Sequence, residues 1–292
     1  MTHDPRQTPR RDPLDPPALR RDLLAPAGPL ARLDVVDVSG STNADLVDAV
    51  RTAPGEWPVP AALVAEHQSA GRGRAGRAWE TPPRAALTVS VLLRPRFSAD
   101  RLGWLPLLAG LAVARTVDAA GVPGAAVKWP NDVLLPAADD VPGLGRYRKV
   151  AGILAEVVPA PAGQGPAALV VGVGLNVDQS AAELPVPTAT SLALAGADAD
   201  RGALLGTLVR ELVGVVADLE AAGGDAAVAG LAAEYAARSA TLGHAVRAEL
   251  AGGRDVVEGE AVRVAADGAL VLATAGGERT VTAGDVHHLR RA

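Results

Sequence analysis

Apolar runs of strand length alternate with helical patterns between residues 33 and 240, and this alternation most limits the folds open to the chain. Extended segments are predicted at 33–38, 62–66, 86–93, 125–129, 133–135, 149–158 and 168–177. Helices are predicted from about residue 44 and at 105–120, 201–222 and 226–240. Because several neighbouring strands are joined directly, the pattern predicts an α+β fold, a mixed β-sheet packed with helices rather than a strict βαβ repeat.

The pattern changes near Gly243. Beyond it, short apolar runs are separated by turn pairs such as Asp267-Gly268, and the runs lie at 262–265, 269–273 and 280–282. Runs and turns at such short spacing are typical of β-hairpins. We therefore expect one domain over 31–240 and a small, barrel-like antiparallel β domain over 241–292.

Residues 1–30 are rich in Pro, Arg and Asp, and the pattern predicts a flexible tail. Leu19, Leu23 and Leu24 favour at most one weak helical turn. A DNA-binding domain needs about three helices with a core, so the segment is too short to supply one. We expect no DNA as a partner.

Composition excludes several classes of protein. The chain has 292 residues, a net charge of −5 and no cysteine. A disulfide framework and a thiolate metal site are therefore excluded, and broad nucleic-acid binding is disfavoured. No apolar run is long and uncharged enough to predict a membrane span, and the N-terminus lacks the apolar core of a secretory signal. A cytoplasmic protein without a membrane partner is expected.

A basic, glycine-rich loop follows the second predicted strand. Residues 71–77 read GRGRAGR, and Trp79 follows closely. Glycine allows close backbone approach to a ligand, and arginine grips phosphate or carboxylate with a planar fork. The loop alone is compatible with a solvated basic turn, a nonspecific nucleic-acid contact or a clamp on a small anion.

Further polar or glycine-containing segments also stand at predicted strand ends. They are Ser41-Thr42-Asn43, Lys128-Trp129-Pro130-Asn131-Asp132, Lys149 with Gly152, and Gly172-Val173-Gly174-Leu175-Asn176. Lys128 could bind a phosphate and Asp132 could bind Mg²⁺. The alternative is that the 128–132 segment is a surface turn. Asn176 suits a nucleobase edge, or the end of a core strand. Ser41 and its neighbours could contact a ligand or cap a helix. Lys149 could contact a ligand or protect the edge of a sheet from pairing with another strand.

Taken in order, these segments closely resemble the biotin protein ligases. The resemblance runs from about residue 34 to 195, includes Gln68 and the segment Ala189-Thr190-Ser191-Leu192, and extends to the C-terminal β module. It implies a ligase core like that of class II aminoacyl-tRNA synthetases, plus an SH3-like barrel. It also implies an enzyme that forms biotinyl-5′-AMP from biotin and ATP with Mg²⁺. Biotin then passes to one lysine of the biotin carboxyl carrier domain of an acyl-CoA carboxylase, such as acetyl-CoA carboxylase.

The resemblance assigns roles residue by residue. Biotin would contact Ser41, Thr42, Asn43, Gln68, Gly71, Arg72, Gly73, Arg74, Trp79, Lys149 and Gly152. ATP or the adenylate would contact Arg74, Trp79, Lys128, Asn131, Asp132, Asn176 and Arg290, with Asp132 as the Mg²⁺ ligand. Lys149, Arg72 and Arg74 would be catalytic.

Two positions depart from the family pattern, and three competing functions fit parts of the sequence. Ala75 stands where many relatives carry a basic residue, and His67 stands where an aromatic one is common. A lipoate ligase would share fold and chemistry, but the arginine loop and the 128–132 segment favour biotin. A noncatalytic sensor of biotin or nucleotide and a nucleic-acid-binding module are the remaining two. The short N-terminal segment predicts a ligase without repressor activity.

Overall fold

The computed structural model describes residues 11–159, 167–250, 255–282 and 284–288. The helices are α1 (Pro16–Leu23), α2 (Thr42–Thr52), α3 (Leu105–Ala119), α4 (Arg201–Ala221) and α5 (Leu231–Ala237). The strands are β1 (Arg32–Ser39), β2 (Ala61–Gln68), β3 (Ala86–Leu93), β4 (Ala126–Lys128), β5 (Asp132–Val141), β6 (Gly145–Val158), β7 (Ala168–Asn176), β8 (Ala245–Leu250), β9 (Val256–Val264), β10 (Leu270–Thr274), β11 (Gly277–Val281) and β12 (Gly284–His288).

The first seven strands form one mixed sheet in the order β1-β2-β3-β7-β6-β5-β4. β1 and β2 are parallel, and the other neighbouring strands are antiparallel. Helices α3 and α4 cover one face of the sheet, and α2 covers the other. Every residue of β3 is buried, which explains its unbroken apolar run. The predicted mixed sheet packed with helices is confirmed.

A second, five-stranded antiparallel sheet has the order β11-β10-β9-β8-β12. Two indole groups link this sheet to the domain of the first sheet. Trp104 Nε1 donates to Ala265 O and Trp129 Nε1 donates to Gly268 O, each at 3.1 Å. Gly103 and Gly268 meet backbone to backbone at this junction, where neither has room for a Cβ. The close approach places β12 beside the end of β4.

The expectation of a flexible N-terminal tail is wrong for the described part of that segment. Asp15 caps α1 by accepting from Ala18 N at 3.0 Å. Leu19 and Leu23 are buried in the main core, and Leu14 and Leu30 join them. The apolar residues are sparse, but they share one face, and that face is covered by the rest of the domain.

Two further segments differ from their predicted structure. Residues 136–148, which lie outside the predicted strands, form the end of the β5–β6 hairpin, which turns at Gly143 and Gly145 with φ of 79° and 60°. The helix predicted at 226–240 is reduced to α5, because Gly230 adopts φ of 74° immediately before it. Glycine at these positions allows backbone conformations that β-branched or bulky residues rarely adopt.

The expectation that no segment suits a membrane span also needs correction. Ala99–Ala119 is long and apolar enough to cross a bilayer by length and composition. It is mostly buried inside the protein, where α3 packs against the sheet and beside α4. Its apolar character therefore follows from its place in the core.

Candidate functional site

A cavity of about 530 Å³ opens on the face of β6 and β7, between the start of α2 and strand β12. Among the predicted site residues, its lining includes Ser41, Thr42, Asn43, Gln68, Arg72, Gly73, Arg74, Trp79, Lys128, Asn131, Asp132, Lys149, Gly152 and Asn176. Gly71 is buried behind the loop, where its carbonyl accepts from Trp79 N at 2.8 Å. Arg290 lies outside the described residues. Segments distant in sequence therefore meet at one cavity.

One end of the cavity is polar and carries hydroxyl and amide groups. Gln68 Oε1 accepts from Thr42 N at 2.8 Å and from Thr42 Oγ1 at 3.0 Å. Asn43 Nδ2 donates to Leu154 O and to Glu156 Oε2, each at 2.9 Å, while its Oδ1 accepts from Ser90 Oγ at 2.6 Å. Asn43 is only 3% exposed. Its orientation is therefore fixed by three partners within the protein.

Ser41 occupies the N-cap position of α2 without a side-chain capping hydrogen bond. Ser41 therefore stands at the position predicted for a helix cap, but its hydroxyl does not cap the helix. Ser41 is buried and lines the cavity.

Glycines on β6 and β7 make room for the side chains of this site. A Cβ added at Gly172 would lie closer than 3.0 Å to Asn43, and one at Gly174 would collide in the same way with the Trp79 ring. A Cβ at Gly152 would lie 3.1 Å from Trp79 and 3.2 Å from Lys149 Nζ. Gly172 and Gly174 therefore require glycine for this close approach, and Gly152 leaves little room for a Cβ.

The opposite end holds cations and one carboxylate. Lys149 Nζ lies 2.6 Å from Asp132 Oδ1 and 5.6 Å from the centroid of the Trp79 ring. Lys128 is 9% exposed, and its ammonium donates to Val286 O on β12 at 2.5 Å. The lysines come from β4 and β6, strands that flank β5 with its Asp132. Two ammonium groups and one carboxylate therefore face the cavity at this end.

The arginine loop is folded as a compact turn over the cavity. Gly73 N donates to Arg77 O at 2.7 Å, and Ala75 takes the left-handed conformation with φ of 53°. Arg74 Nη1 reaches Asn131 Oδ1 at 3.3 Å and Gly284 O at 3.4 Å. Arg72 Nη2 lies 3.7 Å from Glu156 Oε2. The clamp on a small anion that the loop sequence suggested stays a prediction.

Both polar atoms of the Asn176 side chain form hydrogen bonds within the protein. Its Nδ2 donates to Thr190 O and its Oδ1 accepts from Gln179 Nε2, each at 2.9 Å. Asn176 is 5% exposed. Its amide therefore orders the 177–191 segment, and its contact with a nucleotide stays a prediction.

Several lining residues were not predicted as site residues. Those that belong to segments noted for their pattern are Arg77, Pro130, Ile153, Leu154, Gly172, Val173, Gly174 and Ala189. Those without any such signal are Ala78, Glu80, Thr88, Pro185, Val186, Thr188, Val286 and His287. Glu156, which holds Asn43 from behind, was also missed. A charge at the end of an apolar strand gives no signal of its own, and β12 reaches the site only through tertiary packing.

The site fits a magnesium ion only in company with phosphate. No cluster of three or more His, Cys, Asp or Glu side chains suited to a metal occurs among the described residues. Asp132 supplies one carboxylate within the cavity. Mg²⁺ is commonly held by one or two carboxylates and the phosphates of a substrate, so the donor set matches that mode of binding and no all-protein cage.

A cavity with neutral polar groups at one end and cations at the other defines the class of protein: an enzyme or receptor for a ligand with a polar head and an anionic end. Family models sharpen this class. The Biotin/lipoate A/B protein ligase family matches residues 39–176, and the Biotin protein ligase C terminal domain matches residues 241–289.

Individual relatives agree along nearly the whole chain. A biotin--[acetyl-CoA-carboxylase] ligase from Mycobacterium tuberculosis is 43% identical over 284 residues, which cover 96% of this chain and 97% of that protein. The crystal structure of a biotin protein ligase from Aquifex aeolicus in complex with biotin and ATP is similar with a TM-score of 0.66 and 28% identity, covering 90% of this chain and 99% of that one. The chain belongs to the biotin protein ligase family.

Proposed function

We propose that the cavity is where this biotin protein ligase activates biotin with ATP and then passes biotin to a carrier protein. The proposal rests on one observation: the same cavity has ordered amide and hydroxyl groups at one end and Lys128, Lys149 and Asp132 at the other. The relatives that support it are a ligase named for acetyl-CoA carboxylase and a structure with biotin and ATP bound.

The two ends of the cavity are separated along β7. Gly172, beside Asn43, and Asn176 are four residues apart on β7. At about 3.3 Å per residue this span is about 13 Å. The ureido ring of biotin lies at the end with Asn43, Thr42 and Gln68, where donors and acceptors match its carbonyl and its N–H groups. The nucleotide lies at the end with Lys149 and Asp132.

The charged groups make the first step feasible. The carboxylate of biotin attacks the α-phosphorus of ATP, pyrophosphate leaves, and biotinyl-5′-AMP forms. Two unit negative charges 4 Å apart repel by about 4 kcal/mol at an effective dielectric constant of 20. Lys149 offsets this repulsion at the junction, and Lys128 faces the phosphates. Lys149 contacts Asp132, and substrate oxygens would replace Asp132 as its partner.

One carboxylate of the cavity would hold a magnesium ion brought in by the nucleotide. Asp132 would hold it together with phosphate oxygens, and the ion would neutralise phosphate charge during the loss of pyrophosphate. The release of Asp132 from Lys149 would free its carboxylate for that role.

The second step uses a nucleophile from outside the chain. The ε-amine of a carrier lysine attacks the acyl carbon of biotinyl-AMP, an amide bond forms, and AMP departs with the electrons of the broken C–O bond. The protein therefore needs no nucleophile of its own. Because the mixed anhydride is prone to hydrolysis, Arg72 and Arg74 on the 71–77 loop cover it and keep water out.

Further properties belong to the same proposal. The first sheet with its helices is a ligase core like that of class II aminoacyl-tRNA synthetases, and the second is an SH3-like barrel. The partner protein is the biotin carboxyl carrier domain of an acyl-CoA carboxylase. The enzyme acts in the cytoplasm and binds neither DNA nor membrane.

The direct test is biotin-dependent exchange of radiolabelled pyrophosphate into ATP, followed by transfer of biotin to a purified carrier domain. The wild-type protein should support both reactions with biotin and neither with lipoate. Lys149→Ala should lower exchange by on the order of a hundredfold or more, as expected when a group that stabilises transition-state charge is lost. Exchange with lipoate alone would reassign the substrate, and undiminished exchange in the variant would remove Lys149 from the mechanism.

A further inference from the structure

The segment that precedes α1 is joined to a wall of the active-site cavity by one arginine. Arg11 donates from Nε to Asp178 Oδ2 at 2.9 Å and from Nη2 to Asp178 O at 2.8 Å. It also donates to both carboxylate oxygens of Glu183, at 3.2 Å and 2.8 Å. The Arg11 side chain is 5% exposed. One guanidinium therefore holds two points of the same segment.

Arg11 is itself anchored in the body of the domain. Arg201 Nη2 donates to Asp12 O at 2.7 Å. The same guanidinium pairs with Glu66 on β2 at 2.6 Å, and both side chains of this pair are buried. Glu66 also accepts from Leu14 N at 2.5 Å. The backbone around Arg11 is therefore fixed to β2 and to the start of α4.

The segment that Arg11 holds reaches the reaction centre within a few residues. Pro185, Val186, Thr188 and Ala189 line the cavity. Lys149 N donates to Thr188 O, and Thr190 N donates to Lys149 O, each at 2.8 Å. The 178–190 segment thus forms the cavity wall and pairs with the backbone of Lys149 at the nucleotide end.

Electrostatics reinforce the attachment. The hydrogen bond from Arg11 holds the pKa of Glu183 below its ordinary value, and hydrogen bonds from Ser180 act in the same direction. Glu183 therefore stays ionised beside the guanidinium at neutral pH. A charge-assisted, forked contact fixes geometry more strictly than a neutral hydrogen bond.

We propose that Arg11 is a positioning residue for the nucleotide end of the active site, acting through Asp178 and Glu183 on the 185–189 wall and on Lys149. The inference rests on the proposed function, because it takes that end to be where ATP binds. Asn43, Thr42 and Gln68 at the biotin end are held by separate hydrogen bonds that do not involve Arg11. The effect of Arg11 should therefore be selective between the substrates.

The test compares three variants in pyrophosphate exchange and in biotin binding by calorimetry. Arg11→Ala should raise the KM for ATP on the order of tenfold while the Kd for biotin stays within about twofold. Arg11→Lys keeps the charge without the fork and should fall between the wild type and Arg11→Ala. Arg21→Ala is the control, because Arg21 lies on the same N-terminal segment with its side chain 72% exposed and should behave as wild type.

A second readout does not depend on catalysis. Amide hydrogen exchange over 178–190 should be faster in Arg11→Ala than in the wild type, without a matching change in β2 or α4. Should Arg11→Ala fail to fold, Glu183→Gln removes the charge that Arg11 grips and should give the same selective rise in the KM for ATP.

Equal losses for ATP and biotin would show a general effect on folding and overturn the positioning role, as would unchanged kinetics in Arg11→Ala. If the wild-type protein shows no biotin-dependent exchange, the proposed function fails instead. In that case hydrogen exchange still tests the role of Arg11. Unchanged exchange over 178–190 in Arg11→Ala would show that Arg11 does not hold this segment.

Discussion

Gly172→Ala should weaken biotin binding through a steric effect on one buried side chain. The added Cβ would lie closer than 3.0 Å to Asn43, a separation that real Cβ atoms essentially never show. Asn43 is 3% exposed and held by Ser90, Leu154 and Glu156, so moving away from the new Cβ costs it hydrogen bonds.

The magnitude follows from the hydrogen bonds at risk. Each contributes about 0.5–1.5 kcal/mol net, so losing two costs about 2 kcal/mol. If biotin binding needs the original position of Asn43, its Kd should rise roughly thirtyfold. Alanine is favoured over glycine within a strand by roughly 0.5–1 kcal/mol, which offsets part of the loss in folding stability. Binding should therefore suffer more than stability.

The assay is a double-mutant cycle with Asn43→Ala. Calorimetry gives the Kd for biotin, and urea denaturation gives the free energy of unfolding. With the side chain of Asn43 shortened, Gly172→Ala should no longer destabilise the protein and should raise the free energy of unfolding by roughly 0.5–1 kcal/mol from its own background. Gly214→Ala on α4 is the matched control, because a Cβ there meets nothing within 4 Å. Additive effects, or unchanged biotin binding in Gly172→Ala, would refute the reasoning.

Three further predictions concern the charged groups. Lys128→Met removes the ammonium that donates to Val286 O, so pyrophosphate exchange should fall on the order of a hundredfold while calorimetry shows unchanged biotin binding. Asp132→Asn should raise the Mg²⁺ concentration needed for half-maximal exchange, measured by titration, and an unchanged requirement would remove Asp132 from the metal. The hydrogen bond from Arg115 lowers the folded-state pKa of Glu234 below its ordinary 4.5. Its stabilisation is therefore present above about pH 4.5 and is lost as pH falls through the folded value. As the pH falls through that range, the melting temperature of Glu234→Gln should drop by less than that of the wild type. Equal drops would contradict this.

Sequence reasoning found most of the candidate site because the site needs unusual residues at strand ends. Glycines at 152, 172 and 174 break otherwise apolar strands, and the structure shows each one clearing space for a large side chain. The 71–77 loop and the 128–132 segment carry charges that a packed core would not tolerate. Such conflicts with local pattern are visible in a single sequence.

The N-terminal segment and the β5–β6 hairpin could not be found in that way. Residues 11–30 carry only a few scattered apolar side chains, and their order comes from burial against α4 and from pairs such as Arg11 with Glu183. The 136–148 stretch has loop-like composition, yet its backbone pairs across the hairpin. Partners distant in sequence decide both cases, and composition does not reveal them.

The central claim is that the cations meet the carboxylate of biotin and the α-phosphate at one point in this cavity. The most direct measurement is a crystal structure of the protein with a nonhydrolysable analogue of biotinyl-AMP. The acyl–phosphate junction should lie within hydrogen-bonding distance of Lys149 Nζ, with the ring of biotin beside Asn43 and Lys149 withdrawn from Asp132. A junction bound elsewhere, or Lys149 still paired with Asp132 and out of reach of the analogue, would contradict it.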